Sequence, residues 1–407
     1  MPGRSCSSNL ACFLSKGYEA ISEGAQLDAV YTDYSSAFQS VNHRLLLYKL
    51  EHMYGVRGLA LRWLSSYLGR RKQRVVVNGK VSDWVPVVSG TPEGGLLSPL
   101  LFSLFVNDLP SVVKTGCLMF ADDVKIFNKV RNQDDVNMLQ DDINAVTRWA
   151  AVWRLTLNPG KCKTFKITLK RNIFPSVYHI DGNPLEEVTT IRDLGVVLDQ
   201  KLTFSDQISA MVSRANRALG VLIRSLQAAS PRCRMDRKAI LAAYVANVRS
   251  ILEYCSVVWA GASKCHLARL ERVQHKFVVW LAHRTNVQHD SLEYDHLLKL
   301  FKLRTLHARR VEADVLFLFK IFKGFISSSH LLQSFSLHVP PRATRNAVST
   351  LFHVPRGRVN CVANGLFVRC PRAVNSFLLA LPPTDFLCDS VGKIKKRLAL
   401  YTEDMRL

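Results

Sequence analysis

Leu118-Met119-Phe120-Ala121-Asp122-Asp123-Val124-Lys125-Ile126-Phe127 sets two apolar runs on either side of two adjacent carboxylates. Runs this short and this close predict a β-hairpin with the acid pair at its tip. Adjacent carboxylates repel, and on a buried turn they cost stability unless a cation neutralises them. The β-prone run at residues 29–32, Ala-Val-Tyr-Thr, lies 89 residues upstream of the pair and ends at a third acid, Asp33. Three carboxylates from two strands make a hard-oxygen site suited to Mg²⁺. The pattern predicts that Asp33, Asp122 and Asp123 converge to within about 4–7 Å, as two bridged ions require. Acid pairs are also common on surface turns, so the tip alone decides no chemistry.

The surroundings read as an α+β fold. After the tip, residues 134–153 carry Val136, Leu139, Ile143, Val146, Trp149 and Trp153 at steps of three and four, with acids at the start, which predicts a helix. Residues 43–54 and 59–68 show the same spacing, and the second run leads into Arg70-Arg71-Lys72. Residues 73–77 and 84–88 read as strands around an Asn78-Gly79 turn. A glycine-rich loop at 90–95 precedes an apolar helical run at 96–106, and residues 165–169 and 191–198 are strand-like. From Asp206 onward the pattern is helical, at 208–226, 237–259, 267–281 and 303–325. Residues 334–358, with Pro340-Pro341 and Arg342, Arg345, Arg356 and Arg358, read as an irregular basic linker.

The 407 residues carry 55 Lys+Arg against 32 Asp+Glu, a net +23. Residues 1–110 hold 11 bases and 8 acids, residues 111–200 hold 12 and 11, and residues 201–407 hold 32 and 13, so +19 of the charge sits in the last half. A field of that sign suits a polyanionic partner, since neutralised phosphates release counterions; a merely solvated basic surface is the plainer alternative. On the helix at 208–226, Arg214, Arg217 and Arg224 share a face that either grips phosphates or is simply solvated. No apolar run of about 18 residues is present, which excludes a transmembrane helix, and the N-terminus lacks the apolar core of a secretory signal. Ten cysteines include no Cys-x-x-Cys pair, which fits a reducing, intracellular setting in nucleus or cytoplasm.

Several motifs in order are together specific. Val30-Tyr31-Thr32-Asp33-Tyr34-Ser35-Ser36-Ala37-Phe38 resembles the first catalytic motif of the reverse transcriptases of non-LTR retrotransposons. Gly90-Thr91-Pro92-Glu93-Gly94-Gly95 and the helix after it are similar to their Gly-Val-Pro-Gln-Gly element, with Asn107-Asp108-Leu109-Pro110 following as it does there. Phe120-Ala121-Asp122-Asp123 matches their Phe/Tyr-Ala-Asp-Asp box, and Leu157-Asn158-Pro159-Gly160-Lys161-Cys162 resembles the lysine motif after the palm helix. Residues 193–199 resemble the primer-grip hairpin, and Ile251-Leu252-Glu253-Tyr254 and residues 270–274 resemble elements of the jockey type. The resemblance spans roughly residues 4–274, and more weakly 372–382.

The resemblance implies a right-hand polymerase palm, an antiparallel sheet packed on helices. It implies a remnant of fingers at 1–28, palm and primer-grip region at 29–200, a helical thumb at 201–332, and a basic region of unknown fold at 333–407. It further implies an RNA-directed DNA polymerase using two Mg²⁺ ions, with Mn²⁺ as substitute, and acting on an RNA template, a DNA primer and deoxynucleoside triphosphates, away from membranes. Asp33, Asp122 and Asp123 would be the metal ligands, with Asp123 the less direct. Lys161 would neutralise or protonate the departing pyrophosphate, a solvated lysine being the plain alternative. Tyr34, Phe38, Pro92, Glu93 and Gly94 would line the nucleotide, with Phe38 excluding the ribose 2′-hydroxyl or else packing in the core. Arg214, Arg217 and Arg224 would hold template–primer in the thumb.

The pattern also departs from the family. Glu93 stands where the family has glutamine, Gln39 replaces an aspartate and Ser36 a lysine, and Met1 falls where the family's fingers are already under way. Two readings follow: an RNA-directed DNA polymerase, and a non-catalytic nucleic-acid-binding remnant of a mobile element. A metal nuclease built on the same three acids is disfavoured by the polymerase-like motifs around them.

Overall fold

The computed structural model describes residues 3–403 apart from 93, 229–235, 286, 288–292, 340–349 and 382–383. Glu93, Pro340, Pro341, Arg342 and Arg345 therefore lie outside the described residues. The fold is α+β and divides into two units, Ala25–Thr189 and the pair of segments Met1–Gly24 and Thr190–Leu407. The chain opens on α1 (Cys6–Ser22), which belongs to the second of these. Residues 1–24 thus group with 190–407, and 333–407 share that unit with the helices before them.

In the unit Ala25–Thr189, β1 (Gln26–Thr32) is the central strand. Helices α2 (Ala37–Ser40), α3 (His43–His52) and α4 (Gly58–Leu68) follow it. Next come β2 (Lys72–Gln73), β3 (Val76–Val77), β4 (Lys80–Val81) and β5 (Val85–Pro86). Then come α5 (Ser98–Val106), β6 (Gly116–Phe120), β7 (Asp123–Val130), α6 (Gln133–Val152) and β8 (Lys163–Ile167). A small hairpin of β9 (His179–Ile180) and β10 (Asn183–Pro184) precedes β11 (Glu186–Val188). The main sheet runs β11-β8-β1-β7-β6, antiparallel except for the β11–β8 pair.

The hairpin expected around Asn78-Gly79 is split into two ladders. β3 pairs with β4 across the turn, and β2 pairs with β5. Helix α6 forms as its spacing dictates: Val136, Leu139, Ile143, Val146 and Trp149 are buried in the core beneath β7, and the Asn132 side chain accepts from the Asp135 N–H as N-cap. Buried Asp142 breaks that stripe, and it accepts from the Lys114 and Thr115 amides at 3.0 and 2.7 Å, tying down the approach to β6. The same core holds a buried lysine. Lys49 on α3 is 0% exposed, donates to the Phe105 carbonyl at 2.6 Å and to Asp108, and sits 3.6 Å from the Trp153 ring centroid. Burial lowers the Lys49 pKa, and Asp108 opposes that shift.

In the other unit, the strand-like run 191–198 folds as a hairpin, in line with the resemblance of residues 193–199 to one. β12 (Thr190–Asp193) pairs with β13 (Val196–Asp199) across Leu194 and Gly195, whose φ values of 45° and 83° fit a type I′ turn. Helix α7 (Ser205–Ala228) follows. The helix expected over 237–259 is broken into α8 (Arg237–Tyr244), a π-turn at Val245–Arg249, α9 (Ser250–Glu253) and α10 (Ser256–Trp259), with Cys255 at φ 51° between the last two. The remainder comprises α11 (Lys264–Arg284), α12 (Tyr294–Leu300), α13 (Leu306–Phe322), α14 (Ser329–Gln333), α15 (Asn360–Ala363), α16 (Leu366–Ala380) and α17 (Val391–Glu403). Helices α13 and α16 are joined by Asp314, buried and held bidentately by Arg369 at 2.6 and 3.2 Å. Helix α1 buries Leu10, Phe13 and Leu14 in this unit, and Ser15 meets His330 on α14. Among the described residues no helix is long and apolar enough to cross a membrane.

Candidate active site

Asp33 lies one residue beyond the end of β1, where the last cross-strand pair is Thr32 with Val124. Asp123 stands one residue before Val124, so Asp33 and the Ala121-Asp122 turn occupy the same end of adjoining strands. Paired positions in an antiparallel ladder lie roughly 4.5–5.5 Å apart at Cα. The turn is strained: Ala121 has φ 53° between Phe120 and Asp123, which close the hairpin. Asp122 is half-buried and Asp123 exposed, consistent with neighbouring side chains leaving a strand on opposite faces.

The loop after α6 closes the other flank. The Asn158 amide donates to the Asp33 carbonyl at 2.9 Å, the Asp33 amide to the Cys162 Sγ at 3.4 Å, and the Ser35 amide to the Thr156 carbonyl at 2.8 Å. This clasp brings the Lys161 Nζ to 3.5 Å from Asp33 Oδ2, with both side chains well exposed. The motif at residues 157–162 is visible in the sequence, but the contacts of Asn158 and Cys162 with the Asp33 main chain emerge only from the fold.

Among the described residues no three His, Cys, Asp or Glu side chains are gathered closely enough to hold a metal ion. The register aligns the backbones, and the Asp33 carboxylate is turned to Lys161. The donors themselves suit Mg²⁺: all are hard carboxylate oxygens on adjoining strand ends, and this ion commonly takes one or two carboxylates and completes its shell with water and phosphate oxygens.

The glycine loop is stitched to the segment after Asp33. The Thr91 amide donates to the Phe38 carbonyl at 3.1 Å, and the Gly90 amide to the Val41 carbonyl at 2.8 Å. Gly90 has φ 82°, and a Cβ there would lie 2.9 Å from the Gln39 backbone, so only glycine fits. The Pro92 carbonyl accepts from the Gly95 amide at 3.0 Å and from Ser98, which anchors the loop to α5. Gly94 is exposed. Phe38 is half-buried and stacks on Phe102 of α5, with ring centroids 4.4 Å apart, so the packing role left open by the sequence is filled. Tyr34 needs correction as a side chain: it is 4% exposed in the core, and burial raises its pKa, so only its main chain can meet a ligand. Arg214, Arg217 and Arg224 are all exposed on α7.

In the unit that carries this helix, the Tyr254 hydroxyl donates to the Leu194 carbonyl at 2.9 Å, at the tip of the β12–β13 hairpin. A Cβ on Gly195 would stand 3.2 Å from the Tyr254 ring. The motif Ile251-Leu252-Glu253-Tyr254 is visible in the sequence, but only the fold shows Tyr254 bracing this turn.

Residues 4–198 match the family described as reverse transcriptase (RNA-dependent DNA polymerase). This segment belongs to that family. The chain is 27% identical over 275 residues to a probable RNA-directed DNA polymerase from transposon X-element of Drosophila melanogaster, covering 65% of this chain and 30% of that protein. It is 28% identical over 269 residues to the RNA-directed DNA polymerase from mobile element jockey of Drosophila funebris, covering 64% and 29%. The reverse transcriptase domain is thus of the non-LTR retrotransposon kind, and the match spans less than a third of each of these relatives. Among solved structures, a Candida tropicalis telomerase gives a TM-score of 0.35 at 12% identity, covering 47% of this chain and 38% of that one.

Proposed function

We propose that the chain is an RNA-directed DNA polymerase portion of a non-LTR retrotransposon, extending a DNA primer on an RNA template. The observation that carries this reading is the β1–β7 register, which sets Asp33 beside the Asp122-Asp123 turn, with Lys161 paired to Asp33. In this reading the sheet within 29–200 is the palm, with the β12–β13 hairpin as primer grip. The helices of 201–332 serve as thumb, residues 1–28 form part of the fingers, and 333–407 form a basic region.

The primer 3′-hydroxyl attacks the α-phosphorus of the incoming nucleotide; the new P–O ester forms as the bond to pyrophosphate breaks. Asp33 and Asp122 would hold the divalent ions, Mg²⁺ or Mn²⁺, with Asp123 beside them. Such ions, when bound, lower the pKa of the attacking hydroxyl and neutralise the leaving group. Lys161 supplies positive charge, and a proton, to the pyrophosphate oxygen. Phe38 limits room at the ribose 2′ position, Pro92, Glu93 and Gly94 border the base pair, and the Tyr34 main chain faces the triphosphate. Arg214, Arg217 and Arg224 contact backbone phosphates of the hybrid.

The test is extension of oligo(dT) on poly(A) with labelled dTTP and Mg²⁺. Incorporation by the parent chain, falling on the order of 100-fold or more in Asp33→Asn and Asp122→Asn, supports the assignment. Tight hybrid binding with no extension selects the non-catalytic remnant instead.

A further inference from the structure

The segment between α3 and the glycine loop has no part in the site above, yet its composition is unlike that of its surroundings. Residues 55–90 hold seven Lys and Arg against the single acid Asp83, a net +6, although residues 1–110 as a whole are only +3. Within it, all fifteen residues of 72–86 are exposed, so β2 to β5 form an arm that stands clear of the core. Its base is fixed: the Val87 amide donates to the Arg71 carbonyl at 2.9 Å, and the Arg71 guanidinium holds the Gly90 carbonyl.

Aromatic planes are interleaved with these cations. On α4, Trp63 is 55% exposed and stacks on Tyr67 one turn on, with centroids 5.3 Å apart and planes 12° from parallel. On the arm, Trp84 is 56% exposed, with the Arg74 guanidinium 4.6 Å from its ring centroid. Trp63 also borders an apolar cavity of about 560 Å³ between α4 and α5, walled by side chains such as Leu59, Leu97 and Leu104. Exposed Leu59, Trp63 and Leu100 at its rim make this an unusually apolar stretch of surface, of the kind that marks an interaction face. Trp, Tyr and Arg also suit a protein interface, but a net +6 with one acid in residues 55–90 selects a polyanion. Open ring faces beside arginines, within a basic field, are instead what unpaired bases on a phosphate backbone require.

We infer that α4 and the β2–β5 arm form a track for single-stranded RNA, with Trp63 and Trp84 stacking on unpaired bases while Arg62, Arg74 and Lys80 meet the phosphates. The inference rests on the polymerase reading only for naming the strand, the unpaired template; the binding itself requires no synthesis. A duplex keeps its bases stacked on one another, so the two tryptophans discriminate in favour of the single strand.

The experiment is anisotropy titration of the full chain with a fluorescein-labelled 20-nucleotide single-stranded RNA and with a blunt RNA duplex of the same length. Parent, Trp63→Ala, Trp84→Ala and the double variant are compared. Both rings are exposed, so melting temperatures should stay within a few degrees, which thermal scans verify. Each single variant should weaken single-strand binding roughly fivefold or more, and the double variant further, with duplex affinity changed less than about twofold. Unchanged single-strand affinity in the double variant overturns the inference, and so does equal loss for the duplex. If the parent self-associates and the double variant loses only that, the face docks protein and the inference also fails. Weakened single-strand binding in a chain that never extends a primer leaves the track standing and removes the polymerase reading alone.

Discussion

Two side chains show what one atom contributes here. Tyr254→Phe removes the hydroxyl that holds the Leu194 carbonyl and leaves the ring beside Gly195 in place. A hydrogen bond of this kind nets about 0.5–1.5 kcal/mol, so amide exchange over residues 190–199 should quicken roughly 2- to 12-fold while global stability barely moves. Exchange followed by mass spectrometry measures this, and an unaltered hairpin would show that the turn needs no strut. Lys161→Ala should lower the extension rate more than it raises the nucleotide KM, since its proton and charge matter most as pyrophosphate leaves; steady-state kinetics at varied dTTP separates the two. The nearness of Lys161 to Asp33 was legible because motif order placed both beside the sheet's end. Tyr34 was not: a residue beside Asp33 in sequence looks like a site residue, but its bridge to Leu157 continues the strand alternation and turns the phenol into the core.

Elements follow their sequence where one rule acts alone and depart where two compete. Helix α6 is legible because apolar spacing, the N-cap and first-turn acids agree. The run 237–259 is equally apolar, yet a π-turn and the left-handed Cys255 break it, and neither leaves a compositional mark. In residues 191–198 apolar composition alone marks no turn, since Leu194 resembles its neighbours; the motif at 193–199 and Gly195 do. The packing of α3 depends on Lys49, whose ammonium lies in an aromatic box with Asp108. Lys49→Met should cost on the order of 3 kcal/mol because it strands the partly buried Asp108, and Lys49→Met/Asp108→Asn should recover part of that loss. Urea unfolding of the three chains gives the comparison.

The central strand of the sheet buries a carboxyl group. Asp28 is fully buried on β1 and accepts from Gln26, Ser176 and Tyr178 at 2.6, 2.5 and 2.9 Å. Burial lifts its pKa above the ordinary 3.8, with the hydrogen bonds opposing. A carboxyl whose folded pKa is the higher one contributes stability that is full below 3.8 and is lost as pH rises through the folded value. The stability of the parent relative to Asp28→Asn should therefore decline from about pH 4 towards neutrality, and urea midpoints of the two chains across that range provide the check.

At the level of the whole molecule, charge and connectivity dominate. With +19 in residues 201–407, affinity for an RNA–DNA hybrid should fall by roughly 0.7–0.9 log units per log unit of salt for each phosphate neutralised. A flat salt dependence measured by anisotropy would remove the electrostatic case for a nucleic-acid partner. The charge asymmetry was plain in the sequence. The grouping of α1 with the last half of the chain was not, because nothing local in residues 6–22 announces a partner some 315 positions away, the separation of Ser15 from His330.

That separation bears on how the protein is made. Translation proceeds at about 5–20 residues per second, so α1 leaves the ribosome roughly 15–60 s before its partners on α14. Through that interval Leu10, Phe13 and Leu14 have no finished surface to cover them, while the intervening sheet unit is completed first. A nascent chain in this condition is a natural client for holding chaperones, and the yield of folded protein in a cell should depend on them more than the stability of the finished fold would suggest.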